Sequence, residues 1–303
     1  MKKITALLVG KLSSYTLGVV ALAVCLSGPV PVLASPILSS DLASFAVLGA
    51  STVTNTGATT LTGNLGVSPG TAITGQEYIT INGQPALTTG SEFVHETDAL
   101  AGQAQIDLTT TRTKLSLLGP GTLLGSDLTG LTILPGVYTV PAGTTNLAGT
   151  VTLDGQGDAN AFWLFQMSST LITSSNSTVE VVDAGSGAGL FWNVGSSATL
   201  GTGTSFYGNI LADASITLNT DATIVCGRAL ASTGAVTLDH NTIDVCNAND
   251  GYSGTGLEFD SSGSVVEKNG TVIVTPVPEP STFLLLSGGL VGLAFVIRRR
   301  REG

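Results

Sequence analysis

Five Thr-Leu pairs recur through the middle of the chain, at Thr152-Leu153, Thr170-Leu171, Thr199-Leu200, Thr217-Leu218 and Thr237-Leu238, with offsets of 18, 29, 18 and 20 residues. An 18-residue shift lays Val194 on Ala212, Ser197 on Ser215, Leu200 on Leu218, Thr202 on Thr220 and Phe206 on Ile224. Small or apolar residues fall on apolar ones, and hydroxyl-bearing residues fall on their own kind. A period this short has no room for a helix and specifies stacked coils of a β-solenoid. Neighbours along a strand face opposite ways, so with Leu directed into the core its partner Thr points out. The stack then carries a column of hydroxyls roughly 4.8 Å apart. Only 11% of the 303 residues are charged and 39 are Gly, which suits a thin, turn-rich β body. The repeat argues for one such body rather than two domains.

Both ends read as processing signals. Residues 1–34 carry Lys2, Lys3 and Lys11, an apolar run from Tyr15 to Leu26, and Val32-Leu33-Ala34 before Ser35. That is the pattern of a secretory signal peptide cleaved after Ala34. Near the other end, Val277-Pro278-Glu279-Pro280 precedes an apolar stretch from Thr282 to Ile297 and the cluster Arg298 to Arg301. The arginines stay cytoplasmic, which leaves the body outside the inner membrane. The tripartite tail, residues 276–303, resembles the PEP-CTERM sorting signal of Gram-negative bacteria. The resemblance implies an exosortase-type processing enzyme that releases or re-attaches the protein outside the cell after transient membrane contact. A simple C-terminal membrane anchor is the alternative.

The ends also hold seven of the eleven basic residues. Without residues 1–34 and 298–303 the chain keeps Arg112, Lys114, Arg228 and Lys268 against 20 acidic residues, a net charge of −16. That balance argues against nucleic acid or anionic lipid as partners of the body. Cys25 leaves with the signal, so Cys226 and Cys246 remain, and their separation of 20 equals that of Thr217 and Thr237. Stacked on adjacent coils they come within disulfide distance, and they are read as one bridge closing the end of the solenoid. A metal pair is the rival reading, but only His240 lies near as a further ligand.

One segment reads as a helix, about 93–118. Thr97, Ala101, Ala104, Leu108, Thr111 and Leu115 form a narrow stripe at steps of three and four, with acidic residues at the start and Arg112 and Lys114 toward the end. Gly119-Pro120-Gly121 stops it. The solenoid with its helix occupies 35–246. Residues 247–275 read as a linker and a hairpin, with Val265-Val266 and Thr271 to Val274 flanking Lys268-Asn269-Gly270.

Several stretches follow the same order as a known family. They are Ser51, Val53, Asn55, Thr56, Gly57, Thr59 and Gly63, then Leu65-Gly66-Val67-Ser68-Pro69-Gly70, Leu134-Pro135-Gly136 with Tyr138, and Phe191-Trp192-Asn193-Val194-Gly195. Gly208 to Ala212, Gly227 to Ala231, Thr237-Leu238-Asp239 and Asn241-Thr242-Ile243 follow. Over about residues 40–245 the chain resembles the ice-binding proteins of bacteria, fungi and algae. The resemblance implies a mainly β fold: a right-handed, three-faced, discontinuous β-solenoid with one long α-helix alongside. It also implies a flat face, away from the helix, that adsorbs to ice and restrains ice growth or recrystallisation.

Thr suits such a face, because its hydroxyl anchors a water, its methyl supplies apolar area and its β-branch stiffens the rotamer. The candidate ice-contacting residues are the column Thr152, Thr170, Thr199, Thr217 and Thr237, and a second set flanking the next turn. That set is Thr173, Thr202 and Thr220, followed by Asn176, Ser205 and Thr223. Thr56-Gly57-Ala58-Thr59 fits a Thr-small-any-Thr/Asn motif of hyperactive family members, adding Thr56 and Thr59; Thr71-Ala72-Ile73-Thr74 fits too.

No catalytic constellation emerges, and no cofactor or metal is called for. His95-Glu96 lacks a second His at position 99, and no Gly-x-Ser-x-Gly elbow occurs. Asp213, Asp221, Asp239 and Asp244 resemble the carboxylates of a polysaccharide-cleaving β-helix, with Arg228 as the one basic partner. An extracellular adhesin or matrix protein that binds polysaccharide on the same scaffold is the other alternative to ice binding.

Overall fold

The structure is a computed structural model that describes residues 34–87, 92–246 and 252–277. Residues 1–33 of the expected signal peptide (1–34), and Pro278, Glu279 and Pro280 with the apolar stretch and arginines behind them, lie outside the described residues. Among the described residues no helix is long and apolar enough to cross a membrane.

Parallel strands wind into a three-faced solenoid. Face a stacks Gly136–Val140, Phe162–Met167 and Gly189–Val194, then the later halves of Ser205–Ala212 and Thr223–Ala231, then Phe45–Gly49, Asn64–Val67 and Val94–Glu96. Face b stacks Leu171–Ile172, Ala198–Leu200, Ile216–Leu218, Val236–Asp239, Thr52–Thr56 and Ala72–Thr74. Face c runs from Thr132–Ile133 through Thr150–Asp154, Thr178–Val182 and the early halves of Ser205–Ala212 and Thr223–Ala231 to Thr242–Asp244, Thr59–Thr62 and Ile79–Ile81.

The solenoid is discontinuous. Residues 45–81 form coils that stack on the C-terminal ones: Val53 stands opposite Val236, Val47 opposite Ala229 and Leu61 opposite Ile243. A single helix carries the chain to the other end. The 19-residue helix α2 (Ala99–Leu117) measures about 28 Å at 1.5 Å per residue, enough to run past six rungs. A shorter helix α1 (Ser40–Ala43) precedes it.

Two cores result from strand alternation. Inside the coils, Trp163, Phe165, Trp192 and Phe206 are buried, with the Phe165 and Trp192 rings stacked 4.1 Å apart. Outside face a, Phe162, Leu164, Phe191, Leu211, Leu230, Phe45 and Leu48 meet Ala101, Ala104, Leu108 and Leu115 of α2. Face a is therefore buried on both sides, which is why Phe162 to Phe165 reads as an unbroken apolar run. At the corner joining faces c and a, Gly208 and Gly227 adopt φ +104° and +152°; a Cβ on Gly227 would lie 2.0 Å from the Gly208 carbonyl oxygen.

Helix α2 starts later than the sequence stripe predicts. Asp98 caps it, its Oδ1 accepting from the Ala101 N–H at 2.9 Å, and Gly119 at φ +83° follows its end. Residues 94–96, expected to be helical, instead extend face a beside Asn64–Val67, where strand pairing satisfies their backbone. Past the solenoid, Ser35–Pro36, Leu257–Phe259, Val265–Glu267 and Val272–Val274 form a four-stranded antiparallel sheet, the last two strands paired across Lys268 to Gly270. Its Leu257, Phe259 and Val265 join the outer core beside α2.

Candidate functional site

Faces b and c are the ones α2 leaves uncovered, and each presents a hydroxyl column. On face b the outward residues in register are Ile172, Thr199, Thr217, Thr237, Thr54 and Thr74. Inward neighbours alternate with them: Ala198 and Leu200, Ile216 and Leu218, and Val236 and Leu238 are at most 1% exposed. Five successive threonines therefore span four rung spacings, about 19 Å. No register shift interrupts any pair of rungs in this sheet. Two carboxylates border it at the corner with face c: Asp239, which accepts from the Thr56 hydroxyl at 3.1 Å and from that of Thr220, and Asp221, which contacts His240.

Face c carries a longer hydroxyl column: Thr150, Thr178, Ser205, Thr223, Thr242, Thr60 and Thr80 stand opposite one another in turn. Its surface is less regular. A bulge shifts the register between Phe206 and Tyr207. The next outward column mixes Thr152 with the exposed carboxylate of Glu180 and continues through Asp244 and Thr62. Carboxylates hold their own hydration shells strongly, and giving that water up is costly.

The predicted site residues separate accordingly. Thr199, Thr217 and Thr237 stack as expected. Thr152 does not share their column: it lies on face c between Thr132 and Glu180. Thr170 is also out of register, because Ile172 is the residue opposite Thr199. The cause is coil length. Thr150 and Thr178 face each other although 28 residues apart, because the loop between Asp154 and Phe162 lengthens that coil. An 18-residue step from Thr152 thus stops short of a full turn.

Thr202, Thr220 and Thr56 are exposed at the corner between faces b and c, and Ser205 and Thr223 belong to the face c column. Thr59 is 1% exposed and cannot reach a surface ligand. Its hydroxyl donates to Asn55 Oδ1 at 2.7 Å and accepts from the Asn241 N–H at 3.1 Å, tying the corner turns together from inside. Thr173 is likewise buried, sharing a 2.9 Å hydrogen bond with Thr204. Asn176 sits in a turn at φ +59°, and Thr178 takes the strand position next to Ser205. Thr54 is the face b member that the sequence reading left out, and the Thr52-Val53-Thr54 alternation was its signal; Thr74 closes the Thr71-Ala72-Ile73-Thr74 motif already noted.

Other candidate chemistry is structural. Arg228 is 4% exposed, and burial pulls its guanidinium down to about 10; it donates to the Ala43 carbonyl through Nε at 2.9 Å and Nη2 at 2.7 Å and to Asn209 Oδ1 at 2.8 Å. It faces none of the four aspartates singled out with it. His240 contacts Asp221 at the exposed corner, and His95 contacts the capping Asp98 at 2.6 Å. Among the described residues no three His, Cys, Asp or Glu side chains gather as a metal site. Cys226 and Cys246 are bonded, with Cα atoms 5.4 Å apart.

A rigid parallel solenoid with an uninterrupted hydroxyl lattice defines a binder of extended, regular surfaces rather than of a small molecule in a cleft. Residues 47–244 match the family model described as Ice-binding-like, and the chain belongs to that family. Residues 276–301 match the PEP-CTERM protein-sorting motif. An ice-binding protein of Nostoc sp. (strain HG1) is 44% identical over 261 residues, 86% of each chain. The crystal structure of an ice-binding protein from the Antarctic ascomycete Antarctomyces psychrotrophicus is 36% identical, with a TM-score of 0.62, over 71% of this chain and 100% of that one. An ice-binding protein from an Antarctic biological consortium is 40% identical, with a TM-score of 0.61, over 69% and 91%.

Proposed function

We propose that this protein is exported, adsorbs to ice through face b and restrains ice growth or recrystallisation. The observation that carries the choice of face is the unbroken register of Thr199, Thr217, Thr237, Thr54 and Thr74. Each hydroxyl orders one water, each methyl fills the space between, and buried Leu and Val neighbours fix the rotamers from below. A contact with one water contributes little. A rigid column makes many at once with little ordering cost. Thr202, Thr220 and Thr56 widen the contact at the corner. Neither the family match nor the solved neighbours point to the polysaccharide-binding alternative.

The same reading places a signal peptide over 1–34 and a sorting tail over 276–303, with motif Val277, Pro278, Glu279 and Pro280. An exosortase-type enzyme processes that tail after transient contact with the inner membrane. The family match over 47–244 and the separate match over 276–301 support this arrangement. A second reading puts ice on face c, favoured by its longer hydroxyl column. Ice-recrystallisation inhibition by purified 35–277 tests the function, and tyrosine placed on each face in turn distinguishes the two surfaces. No inhibition by the folded wild-type body overturns the proposal.

A further inference from the structure

The segment following the solenoid is folded down onto face a. Leu257, Phe259 and Val265 are at most 2% exposed and pack with Leu115 and Leu118 at the end of α2. Ser35 and Pro36, the first residues after the expected cleavage site, pair with Phe259 and Glu258 in the same sheet. Lys114 fastens both ends: its Nζ donates to Ser35 Oγ at 3.2 Å and lies 5.0 Å from the centre of the Phe259 ring. The last described residue is held as well. Val277 donates its N–H to the Leu117 carbonyl at 2.9 Å, and its side chain fills the space where Gly119 has no Cβ. The four strands themselves lie outside the family match, which spans 47–244, and Val277 already belongs to the stretch matched as a sorting motif, 276–301.

We propose that this four-stranded sheet is a mount. It fixes the point where the sorting tail leaves the body, on the helix-covered face at the end of α2, so that a molecule attached to a surface through its C-terminal end keeps face b open to the medium. The further function is adhesion: an array of attached molecules joins its support to ice, rather than acting only as a dissolved inhibitor. This rests on the ice-binding reading above. A sorting tail leaving from face b, or through an unfolded linker crossing it, would lay the ice-contacting threonines against the support.

The test is residues 35–277 carrying a C-terminal biotin-acceptor tag, coupled to streptavidin beads and presented to a growing ice front. Beads coupled through that tag should be retained in the ice roughly a hundredfold above bare beads, at the lower end of what multivalent display supplies. Beads carrying T217Y should behave as bare ones. Free protein, assayed in parallel, separates the two ideas: inactive free protein overturns the ice reading, whereas active free protein with excluded beads overturns the mount. Amide hydrogen exchange gives an independent readout. The N–H groups of Leu257 to Phe259 and of Val277 should be protected, and V265D should expose them while free-protein activity persists. Free-chain exchange rates over 257–277 in the wild type also overturn the mount.

Discussion

Thr217 is the second of the five face b threonines, with Thr199 and Thr237 on the rungs beside it. Replacing it with tyrosine raises a rigid ring above a surface whose neighbouring hydroxyls lie about 4.8 Å away on each side. A hydroxyl–water contact survives only to about 3.0 Å, so the ring holds the ice lattice off all three threonines at once. At about 1 kcal/mol for each lost contact, adsorption weakens by about 3 kcal/mol, on the order of a hundredfold. The concentration needed to halt recrystallisation should rise by that order. The melting temperature should stay within a degree or two, because the side chain points away from the buried Ile216 and Leu218. T223Y, on face c, should leave activity unchanged. If T217Y kept full activity with an intact fold while T223Y lost it, the assignment of face b would be wrong.

Three further outcomes concern the scaffold. Serine at both Cys226 and Cys246 opens a 20-residue loop; loop-closure entropy puts the cost at about 3 kcal/mol, a drop of roughly 6–12 °C in Tm readable by calorimetry. R228M removes the donors from the Ala43 carbonyl and Asn209 Oδ1; buried acceptors left unpaired should cost about 2–5 kcal/mol in a urea titration, with no separate effect on the activity of the folded fraction. Burial alone would raise the Asp98 carboxyl, but the Ala101 N–H and His95 outweigh it and hold it below its ordinary 3.8. Its contribution is therefore present above about pH 4 and lost as pH falls through the lowered value. D98A should cost about 1 kcal/mol at neutral pH and flatten the acid limb of a Tm-versus-pH curve.

What could be read from sequence, and what could not, follows from the geometry of a pleated coil. Period-two alternation states which side chains point in, and here Leu200, Leu218 and Leu238 are buried beneath outward threonines as expected. The 18-residue overlay also held, because Val194, Leu200 and Phe206 stand opposite Ala212, Leu218 and Ile224. Alternation cannot state which of three faces a strand occupies. Faces b and c follow the same rule of hydroxyl out and aliphatic in, so Thr152-Leu153 on face c looks like Thr199-Leu200 on face b. Face identity depends on counting corners, and loops such as the one after Asp154 change the count without disturbing the rule. The corners deceive in a second way. A turn must satisfy backbone and side-chain groups inside the coil, and Thr is as suited to that as to a water-facing surface. Thr59 and Thr60 are adjacent and chemically identical, yet one ties Asn55 to Asn241 and the other joins the outward column. Family resemblance implied only that the solenoid is discontinuous; the pairing of Val53 with Val236 came from the structure, since nothing local in either segment names a partner so distant. A column of five threonines is therefore visible only once residues 52–74 are stacked behind 236–239, which is why Thr54 emerged from the fold alone and Thr74, noted through its motif, found its column only there.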